Sequence, residues 1–507
     1  MADAREPVPY VYSECQDVEA QRLTYDKGRG TRMVALILLI IAFLLFATFT
    51  GVSGFLPVHN GTLVWTTALA PGSALRLGVA FQTDTEFAAK GLSLAFFLVM
   101  WIMTSNLNFI HGVSLRWAKA EEHKLEYNHI LRVFNPSKIS ITNGITANVL
   151  WAICLFLCYG GAATAFYQET IITSDITKVH IVYIDAVSLG ACGLSGLILS
   201  IIAAAGWWTG ERSGRIKTWN SHPLNTALAC KEENIITRFA PHDNPFHTSL
   251  RRDFKYKLLT RQPSARDTIP TFVTLAFVLS KRIHTKHDDW AWHFTSTPII
   301  DESGYQSIQI TNRLTFSTIR NLPDWVQFWL PLLYGCVSQS LSTLTFHIND
   351  FIVDIRRDEA CWHELISRRG ATLHKNPLKL AMISKGAFAV SCSQPIAQWL
   401  FSAGVFPIGF NPLPLVVLVG VMLVLTVVAW LADRWHRWGQ LPATYGHLQS
   451  IVDLVDDWGN GGKGRIWWGD KGPVPEGHDG INVRRMGTSA QKGAVREIQK
   501  GQFYVLM

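Results

Sequence analysis

Apolar residues form long uninterrupted blocks along this chain. Met33 to Leu56 holds 24 residues without a single charge. At a rise of about 1.5 Å per residue, a helix of this length covers the roughly 30 Å hydrocarbon core of a bilayer. Lipid offers no hydrogen-bond partners to backbone groups, so a spanning segment of this kind must be helical. The block therefore predicts a transmembrane helix, and later blocks repeat the pattern.

These blocks predict an all-α membrane protein with about seven transmembrane helices, and eight as the alternative. An eighth crossing would come from Ile269–Ser280, an apolar run of only 12 residues, which is short for a span. The seven spans are Met33–Leu56, Gly91–Val113, Gly144–Tyr167, Ala186–Thr209, Pro323–Phe346, Ala381–Ala403 and Leu413–Ala432.

The spans divide the chain into five regions. A long polar central loop and an irregular C-terminal tail are expected outside the membrane. A helix between the fifth and sixth spans is amphipathic and is expected to lie at the membrane surface, with Asp358 on its polar side. The regions are a disordered polar tail (1–32), four spans (33–209), the extramembrane loop region (210–322), three spans with the interfacial helix (323–432), and the extramembrane tail (433–507).

Charge gives an orientation but leaves one conflict. The N-terminal tail and the next three loops carry five, two, five and one Lys and Arg residues, an alternation that places the N-terminus in the cytosol. Seven spans would then put the C-terminus outside, although Arg434 and Arg437 favour a cytosolic tail. One extra crossing at Ile269–Ser280 would remove the conflict.

The net charge of +8 lies mostly beside the spans, and no basic face of a soluble module is evident. This pattern argues against nucleic acid as a partner. It favours the lipid bilayer, together with membrane or cytosolic proteins. The pattern fits the plasma membrane and the endomembranes equally.

Asn60 begins a sequon, Asn60-Gly61-Thr62, in the first loop. The loop holds few basic residues, which is typical of a lumenal or external segment. Asn60 is therefore predicted to carry a glycan.

The fourth span carries small residues at every fourth position. Residues at this spacing share one helix face, and small side chains let helix backbones approach closely in lipid. This face is expected to pack on another helix. Its members are Ser188, Cys192, Gly196, Ser200 and Ala204.

Candidates for chemistry are few. His284, His287 and Asp288 offer imidazole and carboxylate ligands for a metal, but Lys286 lies between the histidines and a solvated loop is the favoured interpretation. The eight cysteines include no Cys-x-x-Cys pair. No cofactor is indicated by any motif.

A polar seam is predicted between the fifth and sixth spans. Side-chain amides inside a bilayer need partners or water, and Pro395 leaves a carbonyl one turn earlier without its helical donor. Hydrogen bonding from helix to helix is the favoured interpretation, and a cavity lined for a ligand is the alternative. The residues of the seam are Ser338, Gln339, Ser342, Gln394 and Gln398.

The tail carries several short motifs. It reads LPATYGHLQ from Leu441, LVDDW from Leu454, WGDK from Trp468 and GTS from Gly487. In these motifs the chain resembles a group of uncharacterised multi-pass membrane proteins of filamentous fungi, and the likeness is clearest over the last 70 or so residues. The resemblance implies a fungal membrane protein and brings no catalytic residue or ligand.

The favoured function is a non-enzymatic accessory or interaction protein of a fungal membrane. One alternative is a transporter of a neutral lipophilic metabolite, which is disfavoured because the spans hold almost no ionisable residues at mid-depth. Another is a membrane-embedded enzyme of secondary metabolism, for which no catalytic motif is evident.

Overall fold

The computed structural model describes the larger part of the chain. The described residues are 25–59, 78–83, 86–128, 135–172, 178–237, 297–300, 306–309, 329–330, 332–337, 339, 358–372, 385–405, 417–421, 442, 444, 446–459, 464–473, 483–498 and 503–506.

Four long helices form the centre of the fold. All four are long and apolar enough to cross a membrane, so a suitable helix lies at each of the first four predicted spans. Their ends extend beyond the apolar blocks because charged residues such as Arg29 and Glu121 continue the helices into the polar regions. The helices are α1 (Arg29–His59), α2 (Glu86–Glu121), α3 (Ile145–Ala165) and α4 (Ala186–Arg212).

Helix α4 lies between α1 and α3 and touches both through small residues. A Cβ added to Gly196 would lie 2.2 Å from the ring of Phe46 on α1. On the other side, a Cβ on Gly161 of α3 would lie 2.6 Å from the backbone oxygen of Ser188. Thr164 of α3 donates a hydrogen bond of 2.8 Å to the Ser188 hydroxyl. Three members of the predicted packing face, Ser188, Cys192 and Gly196, therefore lie at helix contacts, which are divided between α1 and α3.

The bundle has two ends, which we call basal and distal. The basal end holds the start of α1 and the end of α4, joined by an ion pair of 2.9 Å between Arg32 and Glu211. Arg215, just after α4, pairs with Glu121 at the end of α2. At the distal end, α1 finishes at His59 and α4 begins at Ala186.

A three-stranded antiparallel sheet lies at the distal end. Its strands are β1 (Gly78–Thr83), β2 (Phe166–Ile172) and β3 (Lys178–Asp185), with β3 in the centre. Alternating β-branched residues in Lys178–Asp185 suit a strand, and Asp185 then caps α4 by accepting from the N–H of Ser188 at 2.8 Å. The chain is mostly helical, and this sheet is a component that the predicted all-α fold does not include.

A second element of β-structure lies near the first sheet. Strands β4 (Thr297–Ile300) and β5 (Gln306–Gln309) form an antiparallel hairpin, and β5 lies against β2. Helical residues 332–337 follow along the chain and contact α3, where a Cβ added to Gly160 would lie 2.8 Å from the backbone nitrogen of Cys336.

The basal end carries a folded domain, which we call the basal domain. It contains the helices α5 (Pro223–Glu232), α6 (358–366) and α8 (Leu448–Leu454). Helix α7 (Lys385–Val405) returns to the bundle, contacts α2 and α3, and includes Pro395 in its interior. The strands of the basal domain are β6 (Ala371–Thr372), β7 (Arg465–Pro473), β8 (Val483–Ser489) and β9 (Phe503–Leu506), in that order across one sheet.

This sheet overturns the prediction of an irregular C-terminal tail. Strands β7 and β8 are antiparallel with a bulge between Asp470 and Gly472, and β8 and β9 are parallel. The pattern predicts an irregular tail because its glycines and charges break the period-2 alternation of a strand. Those residues instead form the bulge and the ion pairs that join the strands.

Two other boundaries change. Tyr25 to Arg32 belong to the predicted disordered tail, yet Tyr25 contacts Glu233 of the basal domain and α1 begins at Arg29. Asp358 is predicted on the polar side of an interfacial helix, yet it is buried in the basal domain together with Trp362. In both cases tertiary partners far along the chain cover residues that look solvated in the sequence.

Candidate functional site

The tail motifs meet around one buried carboxylate, that of Asp456. Its Oδ1 accepts a hydrogen bond of 2.6 Å from the N–H of Thr488. Its Oδ2 accepts from Lys471 Nζ at 2.6 Å and from Arg485 Nη2 at 3.3 Å. Burial alone would raise the pKa of Asp456, but the hydrogen bonds from Lys471 and Thr488 outweigh it and lower the pKa.

Asp457 extends this network on the other side of Thr488. The Asp457 N–H donates to Thr488 Oγ1 at 2.9 Å, and Asp457 Oδ2 accepts from the N–H of Ala490 at 2.7 Å. A Cβ on Gly487 would lie 2.6 Å from the Asp456 carboxylate, so glycine is needed for this approach. The motifs LVDDW, WGDK and GTS therefore describe one interlocked structure.

Asp470 forms a second ion pair inside the sheet. Its buried carboxylate accepts from Arg484 Nε at 2.6 Å and from the N–H of Gly472 at 2.7 Å. Its backbone exchanges two hydrogen bonds with Arg496. This pair fixes the bulge of β7 against β8.

The motif LPATYGHLQ joins the tail to the rest of the protein. Thr444 accepts a hydrogen bond of 2.7 Å from Trp362 Nε1 and donates one of 2.5 Å to Asp358 Oδ2. Gly446, at a φ of +76°, accepts from the N–H of Asn128 at 2.9 Å. The N–H of Leu448 donates to the carbonyl of Glu126. These bonds attach the tail to the segment that follows α2.

A thiol and an imidazole lie together in the core of the basal domain. Cys361 Sγ is 3.4 Å from His222 Nε2, and both side chains are buried. Such pairs activate cysteine nucleophiles when a substrate can reach them. Here α6 carries Cys361 inward beside Trp362, so the pair packs the interior of the domain.

The N-terminal segment closes the basal domain from the side of the bundle. Asp26 accepts from Asn220 Nδ2 at 3.0 Å, and its carbonyl accepts from Thr218 Oγ1 at 2.6 Å. Tyr25 donates to Glu233 at 2.7 Å. Burial and the hydrogen bond to Glu233 raise the pKa of Tyr25.

The residues of the predicted polar seam that the structure describes contact helices other than the fifth span. Gln394 Oε1 accepts a hydrogen bond of 3.1 Å from Trp101 Nε1 of α2, and Ser402 donates to the Ala163 carbonyl of α3 at 2.8 Å. Gln339 and Gln398 are buried. Helix α7 is therefore bonded to α2 and α3, and a seam between the fifth and sixth spans stays a prediction. Ser338 and Ser342 lie outside the described residues.

One ionisable side chain of the bundle escaped the sequence argument. His111 is fully buried and stacks on Trp151 with ring centroids 4.1 Å apart. Trp151 Nε1 donates to Asn108 Oδ1 at 3.1 Å. Asn108 and His111, three residues apart in the second span, were the signal that could have revealed this cluster.

The other predicted site residues remain predictions. Asn60, His284, His287 and Asp288 lie outside the described residues. Within the described part of the chain, no three His, Cys, Asp or Glu side chains are grouped to hold a metal ion.

The comparisons with known proteins give this chain no relative. No protein-family model, no curated protein and no solved structure matches it.

Proposed function

We propose that this chain is a multi-pass membrane protein that serves as a non-enzymatic accessory or interaction protein, with the basal domain as its binding part. The observation that carries the proposal is the network around Asp456. Its charged side chains pair with one another and join the strands of the sheet. The tail motifs therefore supply the contacts that stabilise a folded domain. A domain tied this firmly to a membrane anchor is suited to hold a partner at the membrane surface.

The attachment of this domain supports the same proposal. Hydrogen bonds run to it from the segment after α2, through Glu126 and Asn128, and from the start of α1, through Asp26. Several independent connections keep the orientation of a domain fixed relative to its anchor. A fixed orientation lowers the entropic cost of binding a partner beside the membrane.

The positions of the described elements favour eight crossings over seven. The chain is at the basal end at Ile236, at the distal hairpin from Thr297 to Gln309, and at the basal end again at Asp358. An even number of crossings keeps both termini on one side. Ile269–Ser280 is the apolar run in the stretch where the additional crossing would fall.

Exposed basic residues make the basal end the cytosolic one in this proposal. The positive-inside rule assigns such a cluster to the cytosol. The exposed basic residues include Lys27, Arg29, Arg32, Lys124, Lys138 and Arg212. Asn60 follows the distal end of α1, so it would then be available for glycosylation. The likeness of the tail to uncharacterised fungal membrane proteins favours a fungal membrane as the location.

Capture of partners tests the proposal. Full-length protein purified in mild detergent should retain one or more proteins, and Asp456→Asn should lose them because it loosens the basal domain. Gly54→Ala is the control, since a Cβ at Gly54 meets nothing within 4 Å. Equal capture by wild type and Asp456→Asn would contradict a binding role for the basal domain.

The polar seam supports a second candidate, a transporter or membrane-embedded enzyme for a neutral lipophilic metabolite. Gln398 is 1% exposed, and no described residue pairs with its Nε2 atom. Buried amides are costly in lipid unless they bind a partner, water or a ligand. Metabolite profiles of a deletion strain carrying wild type or Gln398→Leu would test this candidate, which requires the variant to fail.

A further inference from the structure

Residues 137–143, which lead into α3, have side chains of two kinds. Ser137, Ser140 and Asn143 point inward and are buried. Ile139 and Ile141 point outward, and Ile141 is 95% exposed. Exposed patches of large apolar side chains commonly mark contact surfaces. The exposure of Ile139 and Ile141 therefore indicates such a surface.

The inward residues hold this segment rigidly. Glu122 Oε1 accepts from Ser137 Oγ at 2.6 Å, from the N–H of Lys138 at 2.5 Å and from the N–H of Ile139 at 3.4 Å. Burial opposes the charge of Glu122, but these bonds and Lys119 lower its pKa to about 2. The segment is therefore fixed in a shape that keeps the isoleucines outside.

Asn143 anchors the other end of the segment. Its Nδ2 donates to Ser114 Oγ of α2 at 2.9 Å, and its carbonyl accepts from the N–H of Ser137 at 2.8 Å. Ser114 in turn donates to the Gly206 carbonyl of α4 at 3.1 Å. The exposed isoleucines are thus carried by a turn that is bonded to two helices of the bundle.

The exposed isoleucines continue a face of α3. Ile145, Val149 and Ile153 follow at four-residue spacing among the exposed apolar residues of this helix, with Ile145 65% exposed. In a membrane-spanning bundle, an apolar face turned away from the other helices meets lipid. Ile139 and Ile141 extend this face past the start of the helix.

We propose that residues 138–145 form a lipid anchor at the basal interface of the bilayer. Ile139, Ile141 and Ile145 lie among the outer acyl groups of the leaflet, and the exposed Lys138 ammonium binds a lipid phosphate. Lys side chains at helix ends extend to the headgroups in this way. The proposal rests on the proposed membrane location. It implies that the bilayer interface lies at residues 138–145, next to the basal domain.

Fluorescence quenching tests the anchor in the full-length protein. The background replaces Cys15 and Cys392 by Ser, and its own labelling is subtracted. A single NBD label is placed through Ile141→Cys, and the protein is reconstituted in phosphatidylcholine vesicles with acyl chains brominated near the headgroup. Quenching at position 141 several-fold above that of Glu126→Cys, an exposed basal position, is expected.

A third label, at Ile153→Cys on the exposed face of α3, is measured in vesicles with acyl chains brominated near the bilayer centre and separates the two proposals. Quenching at 153 without quenching at 141 overturns the anchor and leaves the membrane location standing. Absence of quenching at both position 141 and position 153 contradicts the membrane location itself. Crosslinking between two copies through position 141, with protection from the brominated lipid, assigns this surface to a second copy and also overturns the anchor.

Discussion

The helix bundle and the basal domain are stabilised in opposite ways. In the bundle, backbones approach through small residues, as at Gly161 and Gly196. In the basal domain, buried carboxylates such as Asp456 and Asp470 join strands through ion pairs. Lipid supplies no hydrophobic driving force between helices, so close packing must provide the attraction in the bundle. Outside the membrane, hydrogen bonds between charged side chains can stabilise the basal domain. The comparison indicates which kind of substitution should destabilise each region.

The largest effect is expected from Gly161→Leu in the bundle. The new side chain would meet the backbone of α4 at Ser188 and Cys192, which cannot move aside as a side chain can. We expect a loss of about 3 kcal/mol or more in detergent stability, and about 1–3 kcal/mol for Gly196→Leu, where the Phe46 ring can shift. Thermal unfolding measures both. Gly51→Leu, which meets nothing within 4 Å, should leave the midpoint unchanged, and an equal loss there would refute the packing argument.

Asp456→Asn should destabilise the basal domain and spare the bundle. It removes the charge that Lys471 and Arg485 face, and hydrogen bonds to charged groups contribute about 1.5–3 kcal/mol each. We expect a loss of about 2–3 kcal/mol, seen as faster amide hydrogen exchange in β7 and β8 with α4 unchanged. Lys492→Gln, at an exposed position of the same domain, is the matched control. Faster exchange throughout the bundle would show that the two regions unfold together.

Acid should weaken the basal side before the bundle interior. The folded-state pKa of Glu122 is about 2, against an ordinary value of 4.5. A carboxyl group whose pKa is lowered by folding stabilises the folded state at any pH above its pKa in the unfolded state. This stability is lost as the pH falls from about 4.5 toward about 2. Stability measured across this range should decline in wild type and decline less in Glu122→Gln. Parallel curves for the two proteins would contradict the role of Glu122.

The smallest effect is expected in the polar seam. A hydrogen bond between helices in lipid contributes under about 1 kcal/mol on average. A double-mutant cycle of Trp101→Phe and Gln394→Leu should therefore give a coupling free energy below about 1 kcal/mol. A much larger coupling would mean that the pair holds more than two helices together.

The sequence predicted the bundle well because long apolar blocks have one solution in lipid. The small-residue face of α4 was also visible, since a period of four residues marks a helix face. The basal domain could not be predicted in this way. Asp456, Lys471 and Thr488 are 15 and 17 residues apart in sequence, and nothing local shows that they meet. The same holds for Asp358 and Thr444, and for the contacts of Gln394 with Trp101.

Complementation of a deletion strain tests the central claim that the basal domain carries the function. The gene is returned as wild type, as Asp456→Asn or as Gln398→Leu, with equal protein levels verified, and the metabolite profile is recorded for each. We predict that Asp456→Asn fails to restore the wild-type profile and that Gln398→Leu restores it. Restoration by Asp456→Asn together with failure of Gln398→Leu would contradict the claim and assign the function to the polar seam of the bundle.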